Sequence, residues 1–319
     1  MRNPIPNPET KNNMDRRHFM KSGLVASAAV AGGSTSLAAA QTTQGEARKG
    51  AKFNLKFAPH FGMFKNHAGD DLIDQITFMA EAGFMAMEDN GMKGRTVETQ
   101  EAIASEMGKH GMEMGVFVAH TISWREPGLV NPDNHDAFLR EIEESVEVAE
   151  RVNATWMTVV PGFVDLRLDM GYQTANVVEV LKKASGILEP HNLVMVLEPL
   201  NFYNHPGLFL TKISQGYEVC KAVNSPACKI LDDLYHQQIQ EGNLIPNIDK
   251  AYDEIAYFQI GDNPGRKEPT TGEINYKNVF KHIHEKGFTG ILGMEHGNYY
   301  PGKDGEAKLI EAYRSVDVS

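Results

Sequence analysis

From Phe53 onward the chain alternates short apolar runs, rich in β-branched residues, with longer amphipathic ones, and it does so eight times in about 270 residues. The short runs are Phe53–Ala58, Phe84–Glu88, Met112–Val118, Thr155–Val160, Leu193–Glu198, Lys229–Asp233, Ile255–Ile260 and Gly290–Glu295. Between them, apolar residues recur at helical spacing. Leu72, Ile76, Met79 and Ala80 are closed by Gly83; Phe138, Leu139, Ile142, Val146 and Ala149 form a second stripe; Ile213, Tyr217 and Cys220 form a third; Tyr276, Val279, Phe280 and Ile283 are closed by Gly287. Strand followed by helix, repeated eight times at this length, predicts an α/β protein with a single (β/α)8 TIM barrel. A doubly wound open sheet is the alternative. No composition break, Pro-rich linker or charge block divides residues 53–319, so one catalytic domain is expected there.

A barrel makes a positional demand, because its chemistry is built where strands end and the following loops begin. Four consecutive runs end in oxygen ligands: the fifth in Glu198, the sixth in Asp232-Asp233, the seventh in Gln259 and the eighth in Glu295. Strand alternation turns Asp232 away from the face that carries Asp233. Three carboxylates converging in a half-dry pocket repel one another unless a cation neutralises them. Glu198, Asp233, Gln259 and Glu295 are therefore the expected metal ligands. An all-oxygen set suits Mg²⁺ or Mn²⁺ better than zinc. His60, after the first run, and Glu88, at the end of the second, are expected at the same mouth as substrate contacts. No G-x-G-x-x-G or P-loop occurs, so no nucleotide cofactor is expected.

The amino end has another character. Arg16-Arg17 and Lys21 precede an Ala- and Gly-rich apolar run from Gly23 to Leu37, and Ala38-Ala39-Ala40 offers a cleavage site. Residues 1–40 look like a twin-arginine signal peptide, with 41–52 as a linker. The run is too short and too diluted for a stable membrane anchor. The expected location of the mature protein is the periplasm. The whole chain carries 31 Lys and Arg against 42 Asp and Glu, a formal charge of −11. Residues 1–40 hold five basic and two acidic side chains, so removing them leaves −14. Such a body repels phosphate backbones, and nucleic acid is not an expected partner. Cys220 and Cys228 sit in apolar surroundings, where two buried thiols compete with a disulfide.

Several blocks carry a resemblance. Glu198-Pro199-Leu200-Asn201, Pro206-Gly207, Asp233-Leu234-Tyr235-His236-Gln237, Asn263-Pro264-Gly265-Arg266 with Glu268-Pro269, Thr271-Gly272-Glu273-Ile274-Asn275-Tyr276 and Gly293-Met294-Glu295 are similar to the hydroxypyruvate isomerase family. That family belongs to the xylose-isomerase-like barrels. The resemblance runs through most of residues 53–315 and is densest from Glu198 onward. It implies that Glu198 and Glu295 both bind the metal and exchange the substrate proton, that Asp233 and Gln259 complete the ligand set, and that His236 and Arg266 contact substrate. It further implies an isomerase that interconverts hydroxypyruvate and tartronate semialdehyde, or a similar small sugar acid, through an enediolate. Arg266 is then the partner of the substrate carboxylate. The chain departs from the family at His296-Gly297-Asn298, where Tyr-Lys-Pro is common, at Asn204, where Asp is common, and in the loops after the third and fourth strands. A free-sugar 3-epimerase or ketose isomerase is the nearest alternative, and a non-enzymatic sugar-acid-binding barrel the next. A small-molecule substrate is expected in every case, and a homo-oligomer is compatible with each.

Overall fold

The computed structural model describes residues 50–318. The signal peptide and most of the linker expected ahead of the barrel lie outside the described residues. Eight parallel strands follow in order: β1 (Lys56–Ala58), β2 (Ala86–Met87), β3 (Glu113–Met114), β4 (Trp156–Val159), β5 (Val194–Leu197), β6 (Cys228–Asp233), β7 (Ile255–Gln259) and β8 (Ile291–Gly293). The helices between and after them are α1 (Lys65–Ala68), α2 (Leu72–Glu81), α3 (Val97–His110), α4 (His135–Val152), α5 (Met170–Leu188), α6 (Ile213–Val223), α7 (Leu234–Gln240), α8 (Leu244–Ala251), α9 (Tyr276–Glu285) and α10 (Gly302–Val316).

Six strands pair in the order β1-β8-β7-β6-β5-β4, and β2 pairs with β3. Single backbone bonds join the two groups. Glu88 N–H donates to Pro59 O at 3.1 Å between the first and second strands, while Thr158 N–H to Phe117 O (2.8 Å) and Ala119 N–H to Thr158 O (3.0 Å) link the third to the fourth. The result is the (β/α)8 barrel that the alternation predicts. Seven of the strands fall inside the predicted runs and are shorter than them; β6 begins one residue before its run, at Cys228. The residues beyond their last ladder bonds turn outward into the loops that carry the site.

Helix ends follow local chemistry. Asp71 accepts from the backbone N–H groups of Ile73 and Asp74 at the start of α2, Thr96 from Thr99 on α3, Asp169 from Gly171 on α5, and Asn275 from Asn278 on α9.

Period-2 alternation separates two cores. Phe57, Met87, Met157, Met195, Leu197, Ile230, Phe258 and Leu292 face the helices and belong to the large cluster that glues the helical ring to the barrel. Ala58, Ala86, Val116, Val196, Leu231, Tyr257 and Ile291, one from each of seven strand segments, touch one another in a second cluster inside the barrel. Two residues further along the same inner face come Glu88, Glu198, Asp233, Gln259 and Gly293. Asp232 has the opposite parity; it is buried, and neither carboxylate oxygen finds a hydrogen-bond partner. Burial pushes its carboxyl well above the usual range. Cys220 and Cys228 are both buried and free, with no disulfide between them.

Candidate active site

Glu198 and Glu295 meet at one pocket of about 170 Å³, lined also by His236, Arg266, Asn90 and Trp124. That volume is well under the roughly 300–1,000 Å³ of sites for drug-sized ligands, so it suits a small substrate. One oxygen or nitrogen from each of Glu198, Asp233 and His236 falls within 4.8 Å of the others. Asp233 caps α7 by accepting from Tyr235 N–H (2.8 Å) through Oδ1, which turns Oδ2 toward Arg266. Asn90, just beyond β2, donates to Glu295 Oε1 at 2.9 Å.

Electrostatics follow from this crowding. Burial pushes the Glu198 carboxyl well above its ordinary range, and the neighbouring charges of Glu295 and Asp233 add to the shift. Glu295 is pushed up to about 7, again chiefly by burial, while Arg266 pulls it down and Asp233 raises it. Gln259 is 1% exposed; its Nε2 donates to Glu88 Oε1 at 3.3 Å, and its Oε1 has no partner. Three acids, two of them pushed up, beside an unpartnered amide oxygen fit a hard divalent cation. The donors all carry oxygen, and a double positive charge would satisfy the orphaned carbonyl and remove the repulsion at once.

His236 has a different role in the group. Its Nδ1 accepts from the backbone N–H of Asn201 at 3.2 Å and lies 2.6 Å from the same residue's Nδ2, so the ring proton is on Nε2. Burial holds the imidazole neutral by lowering its pKa to about 4. Nε2 lies 3.6 Å from Asp233 Oδ2, too far for a hydrogen bond, and is otherwise unpartnered. An N–H pointing into a pocket of acids is a donor for a ligand oxygen, not a metal ligand. Asn204 holds Asn201 in place by accepting from its Nδ2 at 2.8 Å and from Tyr235 O–H at 3.3 Å. Asn204 thus supplies an acceptor at the position where the resembling family commonly carries Asp.

The recognised block after β7 folds into the loop that presents Arg266. Asp262 accepts from Gly272 N–H (2.8 Å) and Ile274 N–H (3.0 Å), and Glu273 accepts from Asn263 Nδ2 at 2.6 Å. Arg266 lines the pocket but is more committed than expected. Its Nη2 donates to Glu295 Oε2 (2.6 Å) and Asp233 Oδ2 (3.1 Å), its Nε to Glu295 O (3.1 Å), and its guanidinium lies over the Tyr235 ring. Among the described residues only Nη1 remains without a hydrogen bond. Two expectations are corrected in placement. Glu88 is 1% exposed and does not line this pocket; its oxygens accept from Tyr257 O–H and Gln259 Nε2. His60 faces an adjoining cavity of about 480 Å³ with His296 and Tyr299, and its Nε2 contacts His296 O at 3.3 Å. His296 itself is an internal strut, 2.7 Å from Tyr313 O–H and held neutral by burial, which lowers its pKa to about 3.

Asn90 and His205 carry no signal in the sequence, and Asn201 stands out there only as the last residue of the Glu198-Pro199-Leu200-Asn201 block. They lie on loops after β2 and β5, where a lone Asn or His carries no periodic signal. The one available cue was that each follows a strand end within a few residues.

A family profile described as "xylose isomerase-like TIM barrel" matches residues 76–316. Hydroxypyruvate isomerase of Escherichia coli (strain K12) is 37% identical over 142 residues, covering 44% of this chain and 54% of that protein. The match thus spans about half the length of that relative. The 2-oxo-tetronate isomerase of Cupriavidus necator is 27% identical over 245 residues, covering 76% of this chain and 92% of the relative. A crystal structure titled AP endonuclease, family 2, from Brucella melitensis superposes with a TM-score of 0.72 at 25% identity, covering 81% of this chain and 98% of that one.

Proposed function

The chain belongs to the xylose isomerase-like TIM-barrel family, and from that premise we propose that it is a divalent-metal-dependent isomerase of small sugar acids. The reaction is the interconversion of hydroxypyruvate and tartronate semialdehyde, or of a close α-hydroxycarbonyl acid, by proton transfer between adjacent carbons. The observation that carries this reading is that Glu198 and Glu295 line one small pocket, with Asp233 within ligating reach of Glu198 and the unpartnered oxygen of Gln259 on the strand paired at Asp233. The two relatives named above, hydroxypyruvate isomerase and 2-oxo-tetronate isomerase, support it.

Glu198, Asp233, Gln259 and Glu295 would hold the cation. When bound, a divalent ion polarises a carbonyl and its neighbouring hydroxyl, and so acidifies the C–H between them. The remaining work belongs to side chains. One of Glu198 and Glu295 takes the proton from carbon and the other returns one to the adjacent carbon. His236 Nε2–H donates to a substrate oxygen. Arg266 Nη1 meets the carboxylate, and Trp124 closes the side of the pocket. The commitment of Arg266 Nη2 to Asp233 and Glu295 favours a second reading, a ketose isomerase or 3-epimerase with a neutral substrate. Among the described residues no helix is long and apolar enough to cross a membrane. The twin-arginine pattern makes the periplasm part of this proposal.

The test is a panel of C3 to C6 oxo acids and ketoses assayed with Mg²⁺- or Mn²⁺-loaded protein. Isomerisation of short oxo acids, lost on chelation and regained with metal, is expected. Activity on neutral ketoses alone selects the second reading, and full activity in chelator refutes the metal-dependent mechanism.

A further inference from the structure

Gln259 presents two ends of similar shape and opposite chemistry, and only its carbonyl end serves a cation. Its amide has no intrinsic preference for which end faces the acids. In the structure the Nε2 end is taken by Glu88 Oε1 at 3.3 Å, and the Oε1 end is the buried, unpartnered one. The other oxygen of Glu88 accepts the Tyr257 O–H at 2.9 Å. Tyr257 and Gln259 are two residues apart on the inner face of β7, so one strand supplies both donors to one carboxylate from across the barrel. The neighbouring strands make room for it. A Cβ at Gly293 on β8 would lie 1.9 Å from Glu88 Oε2, and one at Gly115, just past β3, would lie 2.4 Å from the Tyr257 hydroxyl and 3.0 Å from Glu88 Cβ. Gln259 is also the ladder partner of Asp233 on one side and of Gly293 on the other. The amide is thereby framed by the strands that carry the acids.

Burial and the neighbouring charge of Glu295 push the Glu88 carboxyl up. The selection therefore belongs to its ionised form, which only accepts and so takes the NH₂ end of the amide and excludes the carbonyl end. We propose that Glu88, itself held by Tyr257, is a positioning residue that locks the Gln259 amide with its carbonyl oxygen free for the divalent cation. Glu88 acts through Gln259 and touches neither metal nor substrate. This rests on the metal-binding reading of the pocket given above. It differs from that reading in predicting an effect on metal affinity from a residue outside the ligand set.

The experiment measures Mn²⁺ binding to the full chain by calorimetry and Mn(II) electron paramagnetic resonance, without substrate. Glu88→Gln keeps the shape but carries an NH₂ of its own, so both orientations of Gln259 become permissible. Mn²⁺ affinity is expected to fall by roughly 10–100-fold, the usual effect of losing a residue that orients a ligand, with an unchanged far-ultraviolet spectrum and a metal-free Tm close to wild type. The exchanged pair Glu88→Gln/Gln259→Glu restores one donor facing one acceptor, and most of the lost affinity returns. Tyr257→Phe, which loosens Glu88 without altering its charge, gives a smaller loss and serves if Glu88→Gln does not fold. Wild-type affinity in Glu88→Gln, or a loss that the exchanged pair leaves unrepaired, overturns the proposal. So does a wild-type chain that binds no Mn²⁺. A chain that binds Mn²⁺ with this pattern but isomerises nothing in the panel overturns the isomerase reading instead.

Discussion

Glu198 and Glu295 set the terms at the scale of single residues, because both are charged groups pressed into a pocket that penalises charge. Replacing either by Gln keeps shape and hydrogen-bonding capacity and removes the proton acceptor. Turnover should fall by at least about 10²-fold, the lower end of what a positioned acid or base contributes, while the circular dichroism spectrum stays that of the folded wild type. Retained turnover in either variant removes that residue from proton transfer. The pH dependence follows from Glu295. Its carboxyl is pushed up to about 7 from an ordinary 4.5, so between those values the folded metal-free chain holds a proton that the unfolded chain has released. Stability therefore falls as pH rises through this window, and the loss is complete above it. In metal-free samples the wild type should lose several degrees of Tm relative to Glu295→Gln between pH 4.5 and 8. A constant difference across that range contradicts the burial argument. Glu198, Asp233 and Glu295 were visible in the sequence because each ends an apolar strand run. Glu88 shares that signature, yet the structure engages it with Tyr257 and Gln259, a pairing across the barrel that strand parity does not reveal.

Among the elements, the loops after β3, β4 and β5 show how the pocket wall is made. They are knitted by backbone bonds, Leu129 N–H to Pro161 O (2.8 Å), Gly128 N–H to Phe163 O (2.9 Å), Val164 N–H to Gly207 O (2.9 Å) and Phe209 N–H to Gly162 O (2.9 Å). The first of these loops carries Trp124, whose ring lies 5.4 Å from that of His205 on the third. Gly128 allows the approach, because a Cβ there would sit 2.2 Å from Pro161 O, a backbone atom with no room to retreat. Gly128→Ala is expected to cost about 1–3 kcal/mol, the range for overpacking, read from urea denaturation. It should also raise KM more than it lowers kcat, because it moves a wall and leaves the acids in place. An unchanged KM would show that this wall does not touch substrate. The sequence marked these loops only as departures from the resembling family. Their mutual pairing joins residues tens of positions apart, and no local period announces it. The block from Asn263 to Tyr276 was legible as a motif, but its physical task, an Asp262-ordered loop that carries Arg266, became clear only with the hydrogen bonds in view.

For the molecule as a whole, the proposed export and the acidic body belong together. A chain whose residues beyond position 40 carry −14 gains nothing from a phosphate backbone, which weighs against nucleic acid even though one solved relative is titled an endonuclease. If residues 1–40 direct twin-arginine export, Arg16→Lys/Arg17→Lys should shift the protein from the periplasmic to the cytoplasmic fraction of a Gram-negative host; an unaltered distribution refutes it. Amino-acid order by itself determined the eightfold alternation, the inner and outer faces of each strand, and the oxygen-bearing strand ends, because each is a local periodicity of 2 or 3.6 residues written in neighbouring positions. Only the closed barrel decided that Arg266 would be shared between Asp233 and Glu295, that Asn201 would fix the tautomer of His236, and that Glu88 would meet Gln259. Those pairings depend on the register between strands far apart in the chain, which closure of the cylinder sets and no local pattern encodes.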